Sequence, residues 1–151
     1  MSTDPRTDRV ALAFEGLSPQ TLPALLELYA EQAHFKDPFN EVEGRAAIAN
    51  IFSHMFATLD EPRFEVRQTV TQGEQAFLNW DFLFRRHPGG APLRIHGATH
   101  LRFDEQGRIT WHRDYWDAAE ELYAKLPLLG SLMRWLQRRL RTPQPPLSER
   151  G

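Results

Sequence analysis

The spacing of the apolar residues changes near Pro62, and this change constrains the fold more than any other feature of the sequence. Before this proline, an apolar stripe with helical spacing predicts a helix from about Arg45 to Leu59. After it, apolar and polar residues alternate, which predicts strands at about 64–70, 75–86, 92–103 and 108–117. Helices followed by a run of strands indicate an α+β domain, in which the helices cover one face of an antiparallel meander.

Two further helices are predicted in the first thirty residues, within a domain expected to span residues 8–126. Residues 1–7 are polar and are expected to be disordered, and a short helix from about Asp8 to Glu15 follows them. Ser18-Pro19 then places a capping residue before a proline at a first helical position. The apolar residues after this pair have the spacing of one buried helix face: Leu22, Leu25, Leu26 and Tyr29.

The C-terminal part of the chain is apolar on one side and basic on the other. A helix is predicted from Ala118 to Leu126, and an amphipathic helix over residues 127–141. No acidic residue lies between Glu121 and Glu149, and the cationic residues of this stretch are Lys125, Arg134, Arg138, Arg139 and Arg141. Together with Trp135, this pattern is typical of a helix that contacts a membrane surface. Alternatively, the leucine face packs on the body of the protein or on a partner subunit. The proline-rich tail, residues 142–151, is expected to be disordered.

Composition narrows the function further. The 151 residues are 41% hydrophobic and 25% charged, which is typical of one globular domain with a substantial core. A net charge of -2 and the lack of a recognition motif argue against nucleic acid as a partner. There is no cysteine, and neither a signal sequence nor a long apolar run is found, so a cytoplasmic protein without a metal or other cofactor is expected.

Three aspartates lie in segments that are otherwise apolar or aromatic. Asp37 follows His34-Phe35-Lys36, Asp81 follows Asn79-Trp80, and Asp114 lies in His112-Arg113-Asp114-Tyr115-Trp116. A carboxylate is rare in such surroundings unless it is paired, hydrogen-bonded or used in chemistry. These residues therefore indicate a small-molecule pocket.

Two stretches resemble a known superfamily. The first is Tyr29-Ala-Glu-Gln-Ala-His-Phe-Lys-Asp-Pro38, followed by Gly44-Arg-Ala-Ala-Ile48, and the second runs from Leu101 through the motif His112–Asp117. They resemble the SnoaL-like and ketosteroid-isomerase-like branch of the nuclear transport factor 2-like superfamily, and the second motif also resembles limonene epoxide hydrolase. The resemblance implies a cone-shaped α+β barrel, in which a curved antiparallel sheet wraps around helices and leaves a deep cavity, and it implies a homodimer.

Comparison with the ketosteroid isomerases places their general base at Asp37. The two donors that stabilise the enolate oxygen in those enzymes are replaced here by Phe14 and Thr99. Because one such donor is worth about 2.7–4 kcal/mol, the comparison argues against steroid isomerisation.

Comparison with limonene epoxide hydrolase places its two essential carboxylates at Asp81 and Asp114. The arginine that bridges them there is replaced by Asn79, and two residues that hold the water are replaced by His34 and Lys36. If both aspartates face one desolvated cavity, one carboxyl has a raised pKa and acts as an acid while the other acts as a base.

The leading hypothesis is cofactor-free acid–base chemistry of isomerase, cyclase or epoxide-hydrolase type on a small, largely apolar, oxygen-bearing molecule. The candidate catalytic residues are Asp81, Asp114, Asp37 and His112, and the candidate substrate-binding residues are His34, Asn79, Thr99, Trp116 and Phe14. Alternatives remain: Asp37 as a turn residue, Asp114 in an ion pair, and a ligand-binding or accessory domain without turnover, which could contact a membrane.

Overall fold

The structure is a computed structural model, and it describes residues 4–121 and 127–140. The chain divides into two compact units between Trp116 and Asp117. The elements of the first unit are α1 (Pro5–Glu15), α2 (Leu22–Leu26), β1 (Tyr29–Lys36), β2 (Glu41–Glu43), α3 (Arg45–Thr58), β3 (Asp60–Gln72), β4 (Gln75–Arg85), β5 (Leu93–Phe103) and β6 (Ile109–Tyr115). Those of the second unit are α4 (Ala118–Glu121) and α5 (Pro127–Leu140).

The six strands form one sheet with the order β2-β1-β6-β5-β4-β3. Strands β3 to β6 form the predicted antiparallel meander, whereas β1 lies parallel to β6 and forms an antiparallel pair with β2. Strands β2 and β3 are the two edges and do not pair with each other, so the sheet is open rather than closed into a barrel. The predicted α+β class is confirmed, and the sheet is mixed rather than wholly antiparallel.

The sheet curves around the helices. Helix α3 contacts both β1 and β3, although three strands lie between them in the sheet. Neighbouring strands are about 4.8 Å apart, so β1 and β3 would be about 19 Å apart in a flat sheet, which is wider than a helix with its side chains. The sheet must therefore bend towards α3, and this bend creates an inner face that holds the core.

The alternation between inner-face and outer-face residues is clearest on β4. Leu78, Trp80, Phe82 and Phe84 are buried and alternate with residues of the outer face. On β5, the inner face carries Ile95, Thr99, Leu101 and Phe103, and the outer face carries Arg94, His96, His100 and Arg102. The core is completed by the buried sides of α1 and α3, including Val10, Phe14, Ile48 and Phe52.

The first residues of the chain differ from the prediction. Helix α1 begins at Pro5, so residues 5–7 are helical rather than disordered. The carboxylate of Asp4 caps this helix by accepting a hydrogen bond from the Arg6 backbone N–H at 2.9 Å, and the Arg6 side chain pairs with Glu74 at 2.8 Å. A cap, together with a long-range ion pair, orders this end of the chain.

The helix predicted from Ser18 through Tyr29 is mostly wrong. Residues 18–21 form a turn in which the Ser18 N–H donates to the Thr21 hydroxyl at 2.8 Å, and α2 covers only Leu22–Leu26. Tyr29 begins β1, because the Ile109 N–H donates to the Leu28 carbonyl at 2.8 Å and draws this segment alongside β6. Pairing with a distant strand thus overrides the local helical spacing.

The helix predicted from Arg45 to Leu59 is confirmed as α3, with Ile48 and Phe52 on its buried side. The amphipathic helix predicted for residues 127–141 corresponds to α5. Of the helix predicted from Ala118 to Leu126, residues 118–121 form α4 and the rest lie outside the described residues, as does the tail predicted to be disordered. No helix in the described ranges combines the length and the apolar character needed to cross a bilayer.

Candidate functional site

A chain of polar side chains crosses the inner face from β4 to β6. Thr99 on β5 lies directly opposite Asp114 on β6, and its hydroxyl donates to Asp114 Oδ1 at 2.6 Å. The indole N–H of Trp80 on β4 donates to the same hydroxyl at 2.8 Å. Since the hydroxyl has a single proton, the bond from Trp80 directs that proton to Asp114.

A second series of hydrogen bonds leads from Tyr29 on β1 to Asp114 Oδ1. His112 is 1% exposed, and its Nε2 lies 2.7 Å from Asp114 Oδ1, while its Nδ1 lies 2.8 Å from the hydroxyl of Tyr29. Burial raises the pKa of Tyr29, and the charge of Asp114 raises it further, so the phenol keeps its proton. Because a carboxylate can only accept, the proton between His112 and Asp114 belongs to Nε2, and we assign Nδ1 as the acceptor of the Tyr29 hydroxyl.

The two oxygens of Asp114 are in different surroundings. Oδ1 accepts both hydrogen bonds, from Thr99 and from His112. Within residues 4–121 and 127–140, no other hydrogen bond to this carboxylate is found, and the Asp114 side chain is 18% exposed. Two neutral donors hold the charge on one oxygen, and the other oxygen remains available to a water or a ligand.

Asp114 lies at the polar end of an apolar cavity. The other lining residues are Phe14, Phe52, Phe64, Val66, Leu78, Trp80, Thr99 and His112. The rings pack edge to face, with the centroid of Phe14 5.7 Å from those of both Phe64 and His112. The cavity has a volume of about 20 Å³, which is enough for roughly one water molecule.

Asp81 lies on the opposite face of the sheet. Its neighbour Trp80 points inward, so Asp81 points outward, where it is fully buried beneath polar side chains. Its Oδ2 accepts from Arg67 Nε at 2.9 Å, and its Oδ1 accepts from Arg94 at 2.9 Å and lies 2.8 Å from His96 Nδ1. The carboxylate thus joins three adjacent strands, β3, β4 and β5.

The charge state of Asp81 follows from these contacts. Burial raises the pKa of this carboxyl, but the hydrogen bonds from Arg94, His96 and Arg67 lower it by more. The pKa of Asp81 therefore lies well below its usual range, and the group remains ionised. The expectation that Asp81 and Asp114 share one cavity and split their pKa values is wrong, because the sheet separates them and cations surround Asp81.

Two further residues predicted for the cavity, Asn79 on β4 and His34 on β1, lie on the outer face of the sheet. The Asn79 amide donates to Gln68 Oε1 at 3.1 Å. The ring of His34 stacks on Trp111, with centroids 4.7 Å apart, and its Nε2 lies 3.0 Å from Glu41 Oε1. Neither side chain lines the cavity that contains Asp114.

Asp37 holds a turn between β1 and β2. Its Oδ1 accepts from the backbone N–H groups of Phe39 and Asn40, at 2.8 and 2.7 Å. This agrees with the structural alternative for Asp37, since a carboxylate that caps a turn has its lone pairs occupied. Trp116 packs against Phe39, with ring centroids 5.5 Å apart, and does not line the cavity.

The structure thus brings together four of the predicted residues, namely Asp114, His112, Thr99 and Phe14. It adds Tyr29 and Trp80 as hydrogen-bond donors, although the sequence interpretation had placed Tyr29 on the buried face of a helix and had given Trp80 no hydrogen-bonding role. A buried tyrosine or tryptophan usually finds a polar partner, and this general tendency is the one signal that pointed to them. The described residues contain no group of three or more His, Asp or Glu side chains placed to hold a metal ion.

The comparison with protein families identifies a match to the SnoaL-like domain over residues 10–112. No curated protein matches the chain at a significant level.

Solved structures with the same fold include a ketosteroid-isomerase-like protein from Catenulispora acidiphila, in complex with trimethylamine. It is 20% identical, with a TM-score of 0.70 over 83% of this chain and 96% of that chain. A putative polyketide cyclase from Xanthomonas campestris is 19% identical, with a TM-score of 0.66 over 76% and 92%. The epoxide hydrolase/cyclase-like enzyme SalBIII, involved in pyran ring formation in the polyether salinomycin, is 21% identical, with a TM-score of 0.65 over 74% and 90%.

Proposed function

The chain belongs to the SnoaL-like domain family, and from this premise we propose that it binds a small, largely apolar, oxygen-bearing molecule beside Asp114 and moves a proton with that carboxylate. The reaction is of cyclase, isomerase or epoxide-hydrolase type and needs no cofactor. The observation that carries the proposal is the asymmetry of Asp114: its Oδ1 takes two hydrogen bonds, its Oδ2 takes none from the described residues, and the residue lines an aromatic cavity.

The proposed step is general base catalysis by Oδ2. This oxygen takes a proton either from a C–H group next to a carbonyl or from a water that attacks the ligand. The donors Thr99 and His112 fix the carboxylate during the transfer, and the protonated carboxyl then returns its proton to the product. Base catalysis by a positioned side chain contributes roughly 10²–10⁴-fold in rate.

The neighbouring donors narrow the range of reactions. Both Thr99 and His112 already donate to Asp114, and the indole of Trp80 donates to Thr99, so none of the described side chains that line the cavity has a donor left for an enolate oxygen. This supports the argument against steroid isomerisation. The two neighbours described as cyclases support cyclisation or water addition as the reaction class.

A second candidate is ligand binding without turnover. It is favoured by the lack of a spare donor and by the size of the cavity, which holds roughly one water and must widen before it accepts a larger molecule. Movement of the phenylalanine rings would provide that space. The two candidates share a binding site and differ in whether the bound molecule reacts.

One experiment separates them. A panel of cyclic ketones and of terpene-sized epoxides is incubated with the protein in D₂O and followed by NMR, with saturation transfer reporting binding. Loss of the signal of the proton next to the carbonyl reports proton abstraction, and appearance of a diol reports water addition. Wild type, Asp114→Asn and, as a matched control, Asp81→Asn are compared after their fold is checked by circular dichroism.

For an active panel member, we expect Asp114→Asn to lower the rate by roughly 10² or more while binding persists. Asp81→Asn, where it is folded, should retain the rate within a few-fold. Binding without any exchange or hydrolysis would establish the second candidate instead. Equal loss in both variants would contradict the assignment of the base to Asp114. The homodimer implied by the family resemblance stays a prediction.

A further inference from the structure

Helix α5 carries exposed apolar side chains on one side. Leu132, Trp135 and Leu140 are 53%, 47% and 81% exposed, and they follow one another at intervals of three and five residues. Within the described part of α5, these side chains form an exposed apolar strip along the helix.

The charge of α5 is entirely positive. It contains Arg134, Arg138 and Arg139 and no acidic residue, and the sequence has none from residue 122 to residue 148. The guanidinium of Arg139 lies over the ring of Trp135, 5.3 Å from its centroid, which is a cation–π contact. An apolar face with a tryptophan and adjacent cations favours a partner that is both apolar and anionic.

We propose that α5 lies in the interfacial layer of an anionic phospholipid membrane. Leu132, Trp135 and Leu140 enter the boundary between headgroups and acyl chains, and the arginines contact lipid phosphates. The helix has only 14 residues and includes three arginines, which suits a position along the surface. This inference does not depend on the proposed chemistry at Asp114.

Other partners explain the helix less completely. Nucleic acid would attract the arginines but gives no role to the exposed leucines. A second copy of the chain could cover the leucines, but like charges on the two helices would then approach each other. An anionic bilayer accounts for both the exposed leucines and the arginines. Binding to nucleic acid and self-association are therefore the outcomes of the test that would contradict the proposal.

The test is co-sedimentation of the full chain with phosphatidylcholine vesicles, with or without about 30 mol% phosphatidylserine, at about 50 and 500 mM salt. We expect binding to the anionic vesicles only, weaker by roughly tenfold or more at high salt. Arg138→Gln/Arg139→Gln should weaken it by roughly thirtyfold, since each of the two cations near such a surface contributes about 1 kcal/mol. Arg85→Gln/Arg86→Gln, with the same charge change outside α5, is the matched control.

The apolar contribution is tested by Leu132→Ser/Leu140→Ser, which should also lower the bound fraction. A blue shift of the fluorescence on vesicle binding should disappear in Trp135→Phe. The proposal is overturned by lack of sedimentation with anionic vesicles, by equal losses in the control variant, or by leucine variants that change the oligomeric state and not vesicle binding. Tighter binding to a DNA or RNA fragment than to vesicles would also overturn it.

Discussion

Asp114 and Asp81 are two carboxylates on the same sheet with opposite surroundings. Asp114 faces inward, accepts hydrogen bonds from Thr99 and His112 on one oxygen, and lines an apolar cavity. Asp81 faces outward and receives hydrogen bonds on both oxygens, from two arginines and a histidine. Asp114 can therefore still accept a hydrogen bond from a ligand, whereas both oxygens of Asp81 are occupied by bonds that join neighbouring strands.

The comparison shows that burial alone does not distinguish a functional carboxylate from a structural one. Asp81 is the more deeply buried of the two, yet its partners compensate its charge and fix it as an ion. What distinguishes Asp114 is that one of its oxygens accepts no hydrogen bond from residues 4–121 or 127–140 and that the residue lines a cavity. Variants that remove the charge from each carboxylate should therefore affect different properties of the protein.

The largest stability effect is expected for Asp81→Asn. Removing one member of a buried ion pair costs about 3–5 kcal/mol, but Arg67 and Arg94 are 53% and 61% exposed and can regain water. We therefore expect a loss of about 2–3 kcal/mol in the free energy of unfolding, measured with urea at neutral pH. For Asp114→Asn, we expect a loss below about 1 kcal/mol, because the amide oxygen can still accept both hydrogen bonds.

The pH dependence of the stability difference between wild type and Asp81→Asn tests this prediction further. The folded-state pKa of Asp81 lies below that of the unfolded chain, which is about 3.9, so its contribution to stability is fully present above that pH. The contribution is lost as the pH falls through the folded-state pKa. The difference between wild type and Asp81→Asn should stay constant down to about pH 5 and shrink below about pH 4. A difference that grows on acidification would contradict the ion network.

A smaller loss is expected for Gly97→Ala on β5. A Cβ atom at this position would lie 2.6 Å from Cη2 and 2.8 Å from Cζ2 of Trp80, so the indole lies against the strand where only glycine leaves room. We expect a loss of about 1–2 kcal/mol and weaker positioning of Thr99, to which that indole donates.

Urea unfolding and tryptophan fluorescence measure the effect of Gly97→Ala. Gly16→Ala is its control, because there the nearest atom to the added Cβ is at an acceptable 3.4 Å. This control should stay within about 0.5 kcal/mol of wild type. Equal losses in the two variants would show that the packing of Trp80 on Gly97 is not the cause.

The sequence predicts the elements of the fold whose apolar residues recur at a regular local spacing. The helical stripe of α3 and the alternation in β3 to β6 are periodic, and each was confirmed. Strand β1 was missed because its register shifts between Tyr29 and His34, which hides the alternation, and because its pairing with β6 joins residues about eighty positions apart. Long-range pairing of this kind leaves no local signal.

The candidate site was predicted in part for a related reason. Asp114 and His112 were both named as candidate site residues, and the structure places them in contact on one face of β6. Asp81 was placed with them through the resemblance to epoxide hydrolases, although the apolar alternation of Leu78, Trp80 and Phe82 already favoured those residues for the core and Asp81 for the outside. The spacing on a strand fixes which residues share a face, and burial then decides which face is inner.

The smallest effect on the rate is expected for Tyr29→Phe. This variant removes the hydroxyl that donates to His112 Nδ1, while His112 in turn contacts Asp114. The variant leaves a buried ring nitrogen without its partner, at a cost of about 1 kcal/mol in the free energy of unfolding. The variant also removes the hydrogen bond that keeps the His112 proton on Nε2, from which it is donated to Asp114. The rate of any proton transfer in the NMR assay should therefore fall by roughly fivefold, while binding is retained. Tyr115→Phe, at an exposed position on the outer face, is the matched control and should leave both quantities unchanged. A rate unaffected by Tyr29→Phe would show that Thr99 alone suffices to hold Asp114 in place.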